Sequence, residues 1–481
     1  MKETVQKPKK NRIRKIGIIL LWLCIWQIAV LLVDNILLLA GPVETIQTLI
    51  KEATLTAFWY TVGCSLLRIL GGFLTALVLG CLLGVAGSRW RLLEEFFAPF
   101  MLFCKAVPVA CFAVMLLIWW GAEWLSFAIC FLVTLPVIYV NVLEGIKSTD
   151  KKLLQMAEVF RMPFLNKFFF IYRPAVSPFL EGGLKTALGM GMKAGVAAEV
   201  IGLADHSIGG EIYLSKIYLD TAGVFAWTIV VVVLSALLEK GALSLWRIFC
   251  KWKPVWKIET AETDGDPVGV SIEEISKGYD EHNVLEQVGK RLEPEKVYCM
   301  MAPSSAGKTT MLHILAGLVK PDDGRVAIIE AVEEVPGNDV KKRLADYTKS
   351  LRVSAVFQED RLCEEETALL NVEMVCGNRI LAKEYLKELL GEEALLQPVK
   401  TLSGGMRRRV CIARALAAKS ELLILDEPFN GLDEACMIKT AEFILRHKGK
   451  RLVVAATHHK EEAEALKGEI WSFTIPKNNG K

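Results

Sequence analysis

Long apolar runs crowd the first half of the chain and stop near residue 250. The uncharged run from Gly17 to Val33 continues past Asp34 into NILLLAG. Further runs follow at Ile69–Ser88, within 96–122 (carrying Lys105), at Trp124–Leu143, at Gly182–Ala204 (carrying Lys185, Lys193 and Glu199) and at Thr221–Leu238. A helix crosses a bilayer core with about 20 mostly apolar residues. The pattern therefore predicts an all-α domain of six membrane-spanning helices over 17–250. Between the fourth and fifth runs, LLQMAEVF reads as a short amphipathic helix, and Pro163 and Pro174 bound the piece after it. Apolar character then falls away in a Pro-, Gly-, Asp- and Thr-containing stretch, read as a linker over 251–266. From 267 to 477 the periods shorten. VSIEEISKGYD alternates like a strand, and VYCMM, ELLILD and RLVVAAT are short buried-strand patterns among helical ones. That alternation predicts an α/β domain.

Charge orients the first half. The first fifteen residues hold seven Lys/Arg against one Glu, so the basic tail 1–16 is expected in the cytoplasm. No small-residue cleavage site follows it, which favours an uncleaved first helix over a removed signal. Arg89 and Arg91 then fall in one cytoplasmic loop, and Lys147, Lys151, Lys152, Arg161, Lys167 and Arg173 in another at about 150–178. Six crossings return the chain to the cytoplasm, giving a multi-pass cell-membrane protein in contact with lipid. A net charge of +3 over 481 residues is too small to point to nucleic acid. The twelve cysteines form no C-x-x-C pair and read as reduced, buried thiols. Lys193 and Glu199 either face a pathway or snorkel from helix ends.

The chemistry lies in the second half. Residues 302–310, Ala302-Pro303-Ser304-Ser305-Ala306-Gly307-Lys308-Thr309-Thr310, stand between a strand and a helix pattern. That is the setting of a phosphate-binding loop, whose N–H groups and helix N-terminus offer positive charge to phosphates. Lys308 would reach the β- and γ-phosphates and Thr309 would hold Mg²⁺. Ala302 and Ser305 depart from the glycine-rich pattern and bear on affinity. Asp426, closing the ELLILD strand, is placed for Mg²⁺, and Glu427 for polarising the attacking water. Ser403-Gly404-Gly405 opens a helix, Gln358 follows VF, and His458 follows RLVVAAT.

This ordered set resembles the ATP-binding cassette family over about 267–470, with the P-loop NTPase fold. The resemblance implies that ATP and Mg²⁺ are the cofactors and that Tyr279 stacks on adenine. It implies that Gln358 senses the γ-phosphate and the membrane domain and is a ligand of the metal, and that Ser403, Gly404 and Gly405 clamp ATP held by an opposite subunit. Asp433 would close the D-loop Gly431-Leu432-Asp433, and His458 would be the switch histidine. The cytoplasmic loop resembles that of binding-protein-dependent importer permeases. Gln155-Met156-Ala157 and Arg161 stand where the family has E-A-A and Gly, and Ile171-Tyr172-Arg173-Pro174 follows at family spacing. GLKTALGMGMKAGVAAEVIG resembles a helix of the nitrate/sulfonate/taurine branch. A fused permease–ATPase is thereby implied, acting as a homodimer with a separate extracytoplasmic binding protein and taking up a sulfonate, taurine or nitrate. An exporter half, an importer of a thiamine-precursor-like heterocycle and a tethered regulatory ATPase are the alternatives. The loop is expected to touch the ATPase near Gln358, with Arg161 and Arg173 paired to Glu359 or Asp360.

Overall fold

The computed structural model describes residues 8–33, 35, 38–256, 267–279, 282–303, 306–329 and 351–472; Ser304, Ser305 and the linker residues 257–266 lie outside them. The chain divides into two compact units, Met1–Ser148 with Ala175–Trp252, and Thr149–Pro174 with Lys253–Lys481.

The first unit is helical. Its longest helix, Thr56–Arg89, buries one glycine-rich face against Leu125–Lys147. A Cβ on Gly72 would lie 2.3 Å from the Phe127 carbonyl oxygen, and one on Gly84 would lie 2.9 Å from Val142 Cβ. Small residues at this spacing let two helices approach where no hydrophobic effect drives them together. Among the described residues four helices are long and apolar enough to cross a membrane, Ile16–Val33 within the first helix, Thr56–Arg89, Leu125–Lys147 and Thr221–Lys251. The expected third span is a bent pair, Arg91–Ala106 and Val109–Trp120, turning by 103°. Pro108 stands at the break, and a proline disfavours helix at the residue before it. Counting the pair as one span gives up to five rather than the six expected. The run Gly182–Ala204 falls, but for its last two residues, within the helix Arg173–Gly202, which is long enough but is not among the helices apolar enough to cross. Within it Lys193 is exposed and Glu199 is 1% exposed, accepting from Ser65 Oγ at 2.8 Å and Gly209 N at 3.2 Å.

The second unit contains two sheets. Strands β1 (Gly269–Tyr279), β2 (His282–Leu292) and β4 (Asp323–Ile329) form an antiparallel sheet in the order β2-β1-β4. Strands β3 (Val297–Met301), β5 (Val353–Val356), β6 (Leu422–Asp426), β7 (Leu452–Thr457) and β8 (Glu469–Ser472) form a sheet in the order β5-β6-β7-β3-β8, parallel throughout. β5, β6 and β7 are buried along their whole length, as strands covered on both faces are.

The cytoplasmic segment 149–174 belongs to this second unit. Asp150 caps the helix Lys151–Val159 through the Lys152 amide at 2.8 Å. Met156, Ala157, Val159 and Phe160 are buried. The contact expected near Gln358 is present, but its charge pair is Lys152 with Glu359 at 2.7 Å, not Arg161 or Arg173 with that carboxylate. Arg161 instead donates to the Leu351 carbonyl at 2.8 Å, and Arg173 lies over the Phe169 ring. Helix register decides this. Lys152 is on the open first turn, whereas Arg161 follows the last turn with a left-handed φ of 47°. Asn166, fully buried, donates to the Met374 carbonyl at 2.9 Å and accepts from the Trp256 amide at 3.0 Å.

Candidate active site

Parallel pairing brings the reacting groups together. Met301 pairs with Thr457, and Asp426 with Ala456, so β3, β6 and β7 end at one level. Open parallel sheets bind ligands at the carboxyl ends of their strands. The loop after β3, the pair Asp426–Glu427 and His458 all leave from that edge.

Gly307 takes a left-handed φ of 83° at the start of the helix Lys308–Leu315. A Cβ there would lie 2.8 Å from Leu285 Cδ2 and 2.9 Å from Val284 Cγ1, so backbone and space both require glycine. Ala302 does not take the left-handed conformation and is not strained as alanine. What position 302 supplies is its carbonyl, which accepts from Lys308 Nζ at 2.5 Å beside the Pro303 carbonyl at 3.1 Å. Lys308 is 6% exposed. Burial pushes its pKa down, and the nearby Glu427 and Asp426 carboxylates oppose that shift. Ala306 is buried and Thr310 half-buried.

Asp426 is 5% exposed and hydrogen-bonded by Thr309. Burial pushes its pKa up to about 6, against the Thr309 bond. A buried carboxylate beside a hydroxyl is a hard-oxygen donor set of the kind Mg²⁺ takes. Glu427 has a left-handed φ of 47°, and its amide donates to the Ala456 carbonyl at 3.0 Å. Its Oε1 lies 3.0 Å from His458 Nε2, while His458 Nδ1 lies 3.4 Å from Lys308 Nζ. Lys308, His458 and Glu427 thus form one chain of contacts beside Asp426 and Thr309.

The remaining expected residues stand on elements of their own. Tyr279 ends β1 with its ring half exposed. Ser403 caps the helix Gly404–Ala417, accepting from the Met406 amide at 3.3 Å, and Gly405 packs against the Gly431 carbonyl. Asp433 caps the helix Glu434–His447 through the Cys436 amide at 2.7 Å. Gln358 is exposed, with its carbonyl accepting from Arg408 at 3.3 Å. Arg408 was not singled out from the sequence. The available signal was a triple arginine at the head of a helix that is apolar beyond it save for Arg414.

Two family models match the chain. One, described as ABC transporter, covers residues 285–430. The other, described as the inner membrane component of binding-protein-dependent transport systems, covers 76–239. A probable sulfate/thiosulfate import ATP-binding protein CysA from Chlorella vulgaris is 33% identical over 217 residues, covering 42% of this chain and 86% of that protein. The chain belongs to the ABC transporter family. This ABC transporter chain joins an importer-type permease domain to an ABC ATPase domain, which binds ATP and is of the ATP-hydrolysing kind. It is also similar to the aliphatic sulfonates import ATP-binding protein SsuB 1 of Rhodococcus jostii, 31% identical over 213 residues, covering 43% of this chain and 80% of that protein. Against the sulfate/thiosulfate import ATP-binding protein CysA of Pseudomonas syringae pv. tomato it is 32% identical over 219 residues, covering 42% of this ABC transporter chain but only 64% of the relative.

Proposed function

We propose that the chain is half of an ATP-driven importer of a small oxyanion of the sulfate or sulfonate class. The observation that carries the ATPase part is the Glu427–His458 contact of 3.0 Å at the strand edge that also carries Lys308 and Asp426. The two family matches support the import part, and the printed substrates of the relatives support the solute class. Taurine, as one sulfonate, and nitrate are the finer candidates. Nothing observed favours the exporter, the heterocycle importer or the tethered regulatory ATPase.

In this reading the loop amides and the Lys308 ammonium hold the β- and γ-phosphates of ATP. Thr309, Asp426 and Gln358 would hold Mg²⁺. When bound, the ion neutralises charge on the phosphates. Glu427 accepts a hydrogen bond from the attacking water and polarises it, while His458 fixes the direction of the carboxylate. Tyr279 stacks on adenine. Ser403, Gly404 and Gly405 of a second copy close over the nucleotide, and Asp433 lines the seam between copies, so a homodimer has two sites. ATP-driven closure is carried to the permease through residues 149–174, and the solute arrives on a separate extracytoplasmic binding protein. The N-terminus and ATPase face the cytoplasm.

The test is uptake of labelled sulfate, taurine and nitrate into proteoliposomes, with and without a candidate binding protein. ATP- and binding-protein-dependent uptake of a sulfur oxyanion is the expected result. Uptake of nitrate alone would replace the solute class. ATP-dependent extrusion would overturn import.

A further inference from the structure

Arg408 points back into the active site rather than out to solvent. Its side chain is 3% exposed. Nη1 donates to the carbonyls of Phe357 at 2.5 Å and Gln358 at 3.3 Å. Nη2 donates to the carbonyls of Asp426 and, at 2.5 Å, Glu427. One guanidinium therefore serves two segments, the strap that follows β5 and the turn that follows β6. The nearest paired carboxylate oxygen, Asp360 Oδ1, is 3.6 Å away, so the short bonds go to backbone.

The turn needs such a clamp. Glu427 is a non-glycine residue with φ of 47°, a conformation that persists only where surrounding contacts enforce it. Its amide is held by Ala456, and the carbonyls on both sides of its Cα–N bond, those of Asp426 and Glu427, are held by Arg408. The direction of the Glu427 side chain follows from that backbone. The strap is the same segment whose Glu359 pairs with Lys152 of the cytoplasmic segment. Arg414, six residues along the same helix, also holds the strap, donating to the Arg361 carbonyl at 2.8 Å and the Asp360 carbonyl at 3.4 Å.

We propose that Arg408 is a positioning residue for hydrolysis: it fixes the Asp426–Glu427 turn in register with the Gln358 strap, so that the aim of Glu427 depends on where the strap stands. The proposal rests on the reading of Glu427 as the group that polarises water. A lysine cannot replace it fully, because an ammonium is a point donor and lacks the rigid fork that reaches two segments at once. Loss of the clamp leaves Lys308 and its carbonyl partners intact, so nucleotide affinity is separable from turnover.

The full chain in nanodiscs serves for the test, with ATPase kinetics, binding of a fluorescent ATP analogue and melting temperature measured on the parent, Arg408→Gln, Arg408→Lys, Arg451→Lys and Glu427→Gln. In Arg408→Gln, kcat is expected to fall by about thirtyfold or more, with KM and analogue affinity within about threefold of the parent. Arg408→Lys should recover part of kcat, and Arg451→Lys, at a guanidinium that donates to the Leu416 and His447 carbonyls away from the strap, should keep kcat within about threefold whatever its melting temperature. If Arg408→Gln does not fold, the same kcat-against-KM split in Arg408→Lys decides. Parent-like kcat in a folded Arg408 variant would overturn the proposal. An equal fall in Arg451→Lys would also do so, since it would mark general packing. Parent-like hydrolysis in Glu427→Gln would instead remove the underlying reading of Glu427.

Discussion

At the scale of single residues, the departure of Ala302 from the glycine pattern is harmless for a backbone reason. Position 302 gives Lys308 a carbonyl, and any residue with ordinary φ can do that. Ala302→Gly should therefore bind ATP as the parent does. Lys308→Ala should bind at least about tenfold more weakly, because charge-assisted bonds to phosphate are among the strong ones; titration with a fluorescent ATP analogue checks both. Glu427→Gln leaves an oxygen, now of a carboxamide, to face His458 but loses the charge that polarises water. Its kcat should fall by about 10²–10⁴-fold with nucleotide binding retained, as read in a steady-state phosphate-release assay. Asp426 predicts a pH dependence of stability. Its pKa of about 6 stands above the ordinary 3.8, so the folded state holds the proton more tightly than the unfolded one. The cost is absent below about pH 4, grows between 4 and 6, and is complete above 6. In chelator and without nucleotide, Asp426→Asn should raise stability above pH 6 by on the order of 2–3 kcal/mol and have little effect near pH 4. Denaturant melts at the two pH values test this, and equal effects at both would refute it.

At the scale of elements, two different close approaches set positions that no side chain can relax. In the first unit the Thr56–Arg89 and Leu125–Lys147 helices meet across glycines, and Gly72 faces a backbone carbonyl. Gly72→Val should lower the melting temperature of the detergent-solubilised chain and its yield of monodisperse protein. A parent-like melt would show that these helices can separate at little cost. In the second unit the segment 149–174 is held by more than charge. Asn166 is fully buried and its amide completes backbone bonds at Met374 and Trp256. Asn166→Ala leaves those groups unpaired, with a cost of about 1–3 kcal/mol. Basal ATPase should persist while ATP-driven uptake falls, measured on the same proteoliposomes.

At the scale of the whole molecule, coupling is expected to depend on the Lys152–Glu359 pair, whose contact of 2.7 Å joins segment 149–174 to the strap that Arg408 holds. Both side chains are more than half exposed, so the pair adds little to stability. Lys152→Glu and Glu359→Lys should each reduce uptake per ATP hydrolysed, and the double variant should restore it. Failure of the double variant to recover would assign the contact no part in coupling. The order of the motifs was legible in the chain, because each is a local event: an apolar strand, a tight turn, then a polar residue at a fixed step. So were the apolar runs and the break in composition before the second half. The bent pair at Pro108 was not, since hydropathy sums over a window and is blind to a turn of 103° inside it. Nor was the partner of Glu359, because helix register in a folded segment, not charge alone, chooses between Lys152 and Arg161. Arg408 shows the limit most plainly. By sequence it is one of three adjacent arginines, and only the meeting of β5 and β6 brings four carbonyls from two segments to its guanidinium. Local pattern determined which chemistry the chain carries. Parallel strand pairing, a contact between residues far apart in the chain, decided which groups stand close enough to use it.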